Sequence, residues 1–150
     1  NDIAVTVDVA WKEYWNNRYG KINFDTESLK LNDNGNIIME LGSPDVDSKQ
    51  IDARYVGLLK FSEKGINLLK KIYSENKKNF WNKPWQKSGK LFQKAYMTDI
   101  IQELIDKNNK VYTHKISGGW LEFDTNEDYE KVINKKTKLH KIANKITGLK

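Results

Sequence analysis

The sequence predicts one α/β or α+β domain over residues 1–150, and three observations carry that expectation. Ile3-Ala4-Val5-Thr6-Val7 is a β-branched run that stops at Asp8, as a buried strand does. Asn34-Gly35 lies between Leu29-Lys30-Leu31 and Ile37-Ile38-Met39, and Asn-Gly supplies the positive backbone dihedrals of a tight hairpin turn. Two later stretches carry a helical apolar period, Ile66, Leu69, Ile72 and Tyr73 in one, Met97, Ile100, Ile101, Leu104 and Ile105 in the other.

The elements follow in order. After the first strand, Trp11 to Arg18 reads as one or two helical turns. The hairpin comes next, then Tyr55 to Phe61 as a second buried strand. Ser62 caps the helix that follows it. Trp81, Pro84, Trp85 and Gly89 break the pattern, so residues 80–91 read as a loop. The helix after it ends at Asn108-Asn109, and Val111 to Ile116 alternates as a strand. Gly118-Gly119 is a turn and Trp120-Leu121-Glu122-Phe123 a further strand. Thr125 to Asp128 fits a capping box, opening a last helix that runs to Ile146 and stops at Gly148.

Composition narrows the function classes. The chain is 38% hydrophobic and 31% charged, which is ordinary for a globular protein. No stretch approaches the ~20 apolar residues of a membrane-spanning helix, and the first residues do not resemble a signal peptide. With no cysteine, a disulfide scaffold, a cysteine zinc site and thiol catalysis are excluded. Two histidines, His114 and His140, leave little for a histidine-rich metal site. A cytoplasmic protein is the expectation. The net charge of +6 gathers near the end, at Lys131, Lys135, Lys136, Lys138, Lys141, Lys145 and Lys150, with the spacing of a solvated helix face. Arginine is scarce and no nucleic-acid motif occurs, so nucleic acid is not an expected partner.

Two clusters could carry chemistry. In Gly118-Gly119-Trp120-Leu121-Glu122-Phe123-Asp124-Thr125, a strand would put Glu122 and Asp124 on one face. Two adjacent carboxylates need neutralisation, which a hard cation such as Mg²⁺ provides. The alternative is structural, with Asp124 a helix cap and Glu122 a solvated edge residue. The second cluster is Trp11, Tyr14, Trp15, Arg18 and Tyr19. Its rings could hold an organic cation and its arginine a phosphate, or the rings could fill the core or a subunit interface.

Several segments, in order, resemble a known family. They are Asp2 to Asp8 followed by Trp11 and Tyr14-Trp15, Asp25-Thr26-Glu27, Tyr55 to Phe61, Tyr96-Met97-Thr98-Asp99, and Gly119 to Thr125 with Glu127-Asp128. The sequence is similar to nucleotidyltransferases with the Rossmann-like, GT-A-like fold shared with nucleotide-sugar glycosyltransferases. Within them it looks closest to phosphocholine cytidylyltransferases and sugar- or phosphonate-activating relatives. The resemblance implies a mixed sheet flanked by helices. It also implies transfer of a nucleotide, CTP favoured, to a small phosphorylated acceptor, with release of pyrophosphate.

Carried over position by position, Glu122 and Asp124 become Mg²⁺ ligands. Trp11, Tyr14, Arg18, Arg54, Tyr55, Gly57, Tyr96 and Trp120 become acceptor-binding residues. Aromatic faces would meet a phosphocholine cation, whereas Asp25, Glu27 and Asp99 would meet sugar hydroxyls. Family members begin with a glycine-rich phosphate loop and a first metal-binding aspartate, which this sequence does not show. The expectation is therefore the later, acceptor-binding half of a longer protein, completed by its N-terminal half or by a partner or homo-oligomer, and inactive as residues 1–150 alone. Two other readings stand beside it: a non-catalytic binding or assembly module, and a glycosyltransferase of the same fold.

Overall fold

Alternating burial along Ile3–Asp8 makes this segment the central strand β1, with Ile3, Val5 and Val7 at most 1% exposed. The computed structural model describes residues 1–148. β1 is followed by helix α1 (Trp11–Tyr19), which ends on Gly20 in the left-handed conformation. Strands β2 (Glu27–Leu31) and β3 (Ile38–Pro44) form the expected hairpin. Its loop is longer than a two-residue turn, with Gly35 at φ 70° and backbone amides of Asn36 and Ile37 donating to the Asn32 side chain.

Strand β4 (Arg54–Phe61) lies antiparallel to β1, and β5 (Tyr112–Ile116) lies parallel to it on the other side. The order β4-β1-β5 is a mixed sheet, beside the two-stranded β2-β3 sheet. Helices α2 (Glu63–Phe80) and α3 (Met97–Asp106) flank them, with α4 (Asn126–Ile133) and α5 (Lys138–Thr147) closing the chain. This is the mixed α/β arrangement the resemblance implies. The buried side chains form one hydrophobic cluster in which Trp11, Trp15, Leu41, Ile101, Leu104 and Val111 are fully enclosed. Among the described residues, no helix is long and apolar enough to cross a membrane.

Local chemistry explains the element boundaries. The Ser62 hydroxyl accepts from the Gly65 amide and starts α2. Gly65 is required there, because a Cβ would come within 2.2 Å of the Asp2 carbonyl oxygen. The α3 helix ends as read, with Asn108 taking a positive φ of 60° just beyond it. The Thr125 hydroxyl accepts from the Asp128 amide, and the Asp128 carboxylate accepts from the Thr125 amide, completing the capping box.

Four expectations need correction. β4 is not buried; it is an edge strand in which Leu58 is 63% exposed. Met97 and Tyr73 lie on the exposed sides of their helices. Trp120 to Phe123 is irregular chain with no ladder partner, and β4 and β5 occupy both edges of β1. The outer edge of β5 is itself engaged by Asn36, through Thr113 N to Asn36 O at 3.0 Å, and by the Ile37–Tyr112 bridge. Finally, the last helix is two helices, because Thr137 caps a new start by accepting from the His140 amide. Gly148 does terminate α5, at φ 67°; Lys150 lies outside the described residues.

Candidate functional site

Helix α1 buries Trp11, Tyr14, Trp15 and Arg18, the i, i+3, i+4, i+7 stripe of one helix face. An arginine at the end of an apolar stripe must find anions, and Arg18 finds three. Its Nη1 donates to Glu122 at 2.5 Å, its Nη2 to Asp124 at 2.6 Å, and its Nε to Asp128 at 2.8 Å. Burial works against the Arg18 charge, but the hydrogen bonds to Asp128 and Asp124 outweigh it and hold the guanidinium firmly protonated. The Arg18 hydrogen bonds hold the Asp128 carboxyl well below its ordinary range, against the opposing effect of burial. Burial pushes Glu122 up, while Arg54 and Arg18 pull it down.

The segment between Gly118 and Thr125 is thus fixed by side chains. The fully buried Asp8 carboxylate accepts from the Gly118 amide at 2.9 Å, from Trp120 Nε1 at 2.7 Å and from the Ala10 amide at 2.8 Å. The Tyr14 hydroxyl accepts from the Glu122 amide at 2.8 Å, and the Tyr14 and Trp120 rings meet edge to face. Sequence reasoning missed the roles of Asp8 and Asp128. The capping-box pattern signalled Asp128, and an aspartate ending a buried strand signalled Asp8.

A cavity of about 780 Å³ opens beside this network. The start of β2, the end of β3, the start of β4, the loop before α3 and the first turn of α3 surround it. Asp25, Glu27 and Asp124 supply carboxylates, Arg54 and Lys90 supply positive charge, and Tyr55 and Tyr96 supply rings. Gly42 lets β3 approach α3 closely: its φ is 93°, and a Cβ there would lie 3.2 Å from Thr98 Cβ. Asp99 holds the loop in place, accepting from the Ser88 amide at 3.0 Å, the Ser88 hydroxyl at 2.7 Å and the Tyr96 amide at 2.8 Å. Burial, with Glu27 nearby, pushes the Tyr55 hydroxyl up to about 12.

The residues expected at the site divide. Arg54, Tyr55, Tyr96 and Asp124 line the cavity, together with Asp25 and Glu27. Arg54 is 8% exposed; its guanidinium lies 3.8 Å over the Trp15 ring, and its Nη1 donates to the Asp25 carbonyl. Glu122 is outside the lining, turned to Arg18. Trp11 and Arg18 are at most 1% exposed, so they shape the site only from behind. Trp120 is held on Asp8.

Gly57 is outside the cavity lining, and its φ of 83° serves the irregularity where β4 slips against Val5–Val7 of β1. Asp99 is fully buried as a loop anchor and does not line the cavity. Tyr14 lines a second cleft, with Asp8, Gly118-Gly119 and the exposed Lys138, Lys141 and Lys145 of α5. The neutraliser of the paired acids is therefore the buried Arg18. Among the described residues no group of three or more His, Cys, Asp or Glu side chains is placed to hold a metal ion.

No protein-family model matches the chain, and no solved structure matches it. Among curated proteins, it is similar to the CTP:phosphoglutamine cytidylyltransferase of Campylobacter jejuni, 34% identical over 134 residues, or 89% of this chain and 50% of the relative. The chain thus spans about half the length of that curated relative. This similarity supports a cytidylyltransferase-type nucleotidyltransferase, the class that the ordered motifs resemble.

Proposed function

We propose that the chain supplies the acceptor-binding side of a nucleotidyl transfer site, with CTP as the nucleotide and a small phosphorylated molecule as the acceptor. The observation that carries this reading is the cavity itself, a space of about 780 Å³ lined by Arg54 and Lys90 together with Asp25, Glu27 and Asp124. Positive groups suit the acceptor's phosphate, and carboxylates suit its polar head. The relative's own acceptor is named as phosphoglutamine; phosphocholine, a phosphonate and a sugar 1-phosphate are the other acceptors that the resemblance of the sequence motifs implies.

In the proposed reaction an acceptor phosphate oxygen attacks the α-phosphorus of CTP. One P–O bond forms as the bond to the bridging oxygen breaks, and pyrophosphate leaves with that electron pair. Little covalent work falls to the protein, whose contribution is alignment and neutralisation. Arg54 and Lys90 orient the acceptor phosphate, and Tyr55 and Tyr96 border its head group.

Asp124 fits a single-carboxylate role toward Mg²⁺: one oxygen is engaged by Arg18, and the side chain is 66% exposed at the cavity. The remaining ligands would be phosphate oxygens and waters, as is usual for this ion. Bound there, Mg²⁺ would neutralise phosphate charge. Glu122 and Arg18 then act on Asp124 by holding its segment.

Pyrophosphate release from CTP with a panel of phosphorylated acceptors tests the reading, using the natural polypeptide that carries these residues. Asp124→Asn should lower kcat by about 100-fold or more with an unchanged thermal midpoint. Arg54→Lys should raise the acceptor KM. Undiminished turnover in both variants would end the assignment, and a non-catalytic module would bind none of the acceptors.

A further inference from the structure

A second cleft, of about 810 Å³, is lined by residues of α1, of α5 and of the Ser117-Gly118-Gly119 turn. It shares no lining residue with the acceptor cavity. Asp8 ends β1 and Ser117 follows β5, so the cleft lies at the carboxyl ends of two parallel strands, where open α/β sheets take their ligands. Its charge balance is the reverse of the acceptor cavity's. There the carboxylates of Asp25, Glu27 and Asp124 accompany Arg54 and Lys90. Here Lys138, Lys141 and Lys145 accompany Asp8 and Glu13. Asp8 is fully buried and already accepts from the Ala10 and Gly118 amides and from Trp120 Nε1, which leaves Glu13 to oppose three ammonium groups.

The lysine ion pairs among the described residues are those of Lys64, Lys87, Lys107 and Lys131, so the three on α5 have no acid of their own. Lys70, Lys71 and Lys78 on α2 are also exposed and unpaired, but they line neither cleft. What sets Lys138, Lys141 and Lys145 apart is that they border one concavity. Their i, i+3, i+7 spacing puts them along one face of α5, spread over about 10 Å of its axis. Lysine brings a point charge, without the arginine fork that grips a single phosphate. A row of such charges matches an anion whose own charge is spread along a chain. The turn adds a backbone donor. Gly118 and Gly119 take φ of 68° and 87°, and a Cβ on either would meet nothing within 4 Å, so bare backbone borders the cleft. The Gly118 amide donates to Asp8, whereas the Gly119 amide has no acceptor among the described residues.

We propose that this cleft is a second ligand site, one that takes a small condensed phosphate. Lys138, Lys141 and Lys145 meet its phosphoryl groups, and the Gly119 amide donates to one of its oxygens. The volume is that of a small-molecule site. Leu139 and Ala143 of α5 are buried in the protein, which takes away apolar helix surface that a lipid interface would need. The proposal stands on this cleft alone and does not need the transfer reading.

Calorimetric titration of the full chain with inorganic triphosphate and with orthophosphate, in buffer free of divalent cations, decides it. The expected result is saturable binding of triphosphate, at least about tenfold tighter than orthophosphate and weaker as salt is raised. Lys138→Gln, Lys141→Gln and Lys145→Gln combined should weaken triphosphate by at least about tenfold. Lys70→Gln, Lys71→Gln and Lys78→Gln combined change the net charge equally and should leave the affinity nearly as it was. No saturable binding of triphosphate by the unaltered chain would overturn the proposal, as would an equal loss in the two triple variants. A short single-stranded oligonucleotide that binds more tightly than triphosphate through the same three lysines would give the cleft to nucleic acid and overturn it too. Turnover of CTP has no part in the readout, so failure of the transfer reading leaves this result untouched.

Discussion

Arg18→Met puts the side-chain network to the test. The Arg18 side chain is fully buried, and Asp128, one of its partners, is nearly so at 4% exposure. Methionine fills much of the same volume but leaves Asp128 inside without its cation. Losing one partner of a buried pair costs about 3–5 kcal/mol. Glu122 and Asp124 add little, because their side chains are 30% and 66% exposed and water can screen them. A domain of this size has only about 5–15 kcal/mol in hand. At ~2–4 °C per kcal/mol, the thermal midpoint should fall by roughly 6–20 °C. Thermal unfolding followed by circular dichroism and calorimetry measures it. Asp128→Asn in the Arg18→Met background should restore part of the loss, giving a coupling free energy of about 0.5–3 kcal/mol. A loss under about 1 kcal/mol, or strict additivity of the two changes, would refute the idea that this guanidinium anchors the segment.

Other expectations follow from particular residues. The folded Asp128 carboxyl lies below its unfolded value of 3.8, so its stabilisation is fully present above that pH and is lost as pH falls through the folded value. Chemical denaturation from pH 7 to 2 should therefore show Asp128→Asn less stable at neutrality, with a flatter decline below about pH 4. Glu27 has the opposite sign, with a folded value above 4.5, and costs stability as pH rises past 4.5. Glu27→Gln should stabilise the ligand-free chain at pH 7 relative to pH 4 in the same measurement. Gly65→Ala should destabilise strongly, because the new methyl meets the Asp2 backbone at 2.2 Å; a melting point within 1–2 °C of the parent would contradict the packing described. Asp8→Ala should free Trp120, seen as faster hydrogen exchange across residues 117–121.

What the sequence discloses here is local. The β-branched run of β1, the Asn-Gly hairpin, Ser62 and Thr125 each carry their own structural instruction within a few residues; the structure agrees with all four elements, but the hairpin loop is longer than the tight turn expected and only Gly35 of the pair takes a positive φ. Trp120 to Phe123 alternates like a strand but is not one: β4 and β5 flank β1, Asn36 and Ile37 engage the outer edge of β5, and the segment is held by side chains instead. The break between α4 and α5 was signalled by Thr137 ahead of Leu139, a cap hidden among lysines. At the cavity, the residue types were legible and their partners were not. Glu122 and Asp124 lie more than a hundred residues from Arg18, and no spacing rule links them. The one-residue slip between β2 and β3 beside Glu27 is likewise something no propensity reports.

Residues 117–125 are pinned by four side chains, Asp8, Tyr14, Arg18 and Asp128, and by no strand ladder. One exchange on α1 could swing Asp124 toward or away from the cavity while every backbone pairing stays intact. The segment's position is thus set by side-chain contacts, whereas that of β1, β4 and β5 is set by backbone pairing.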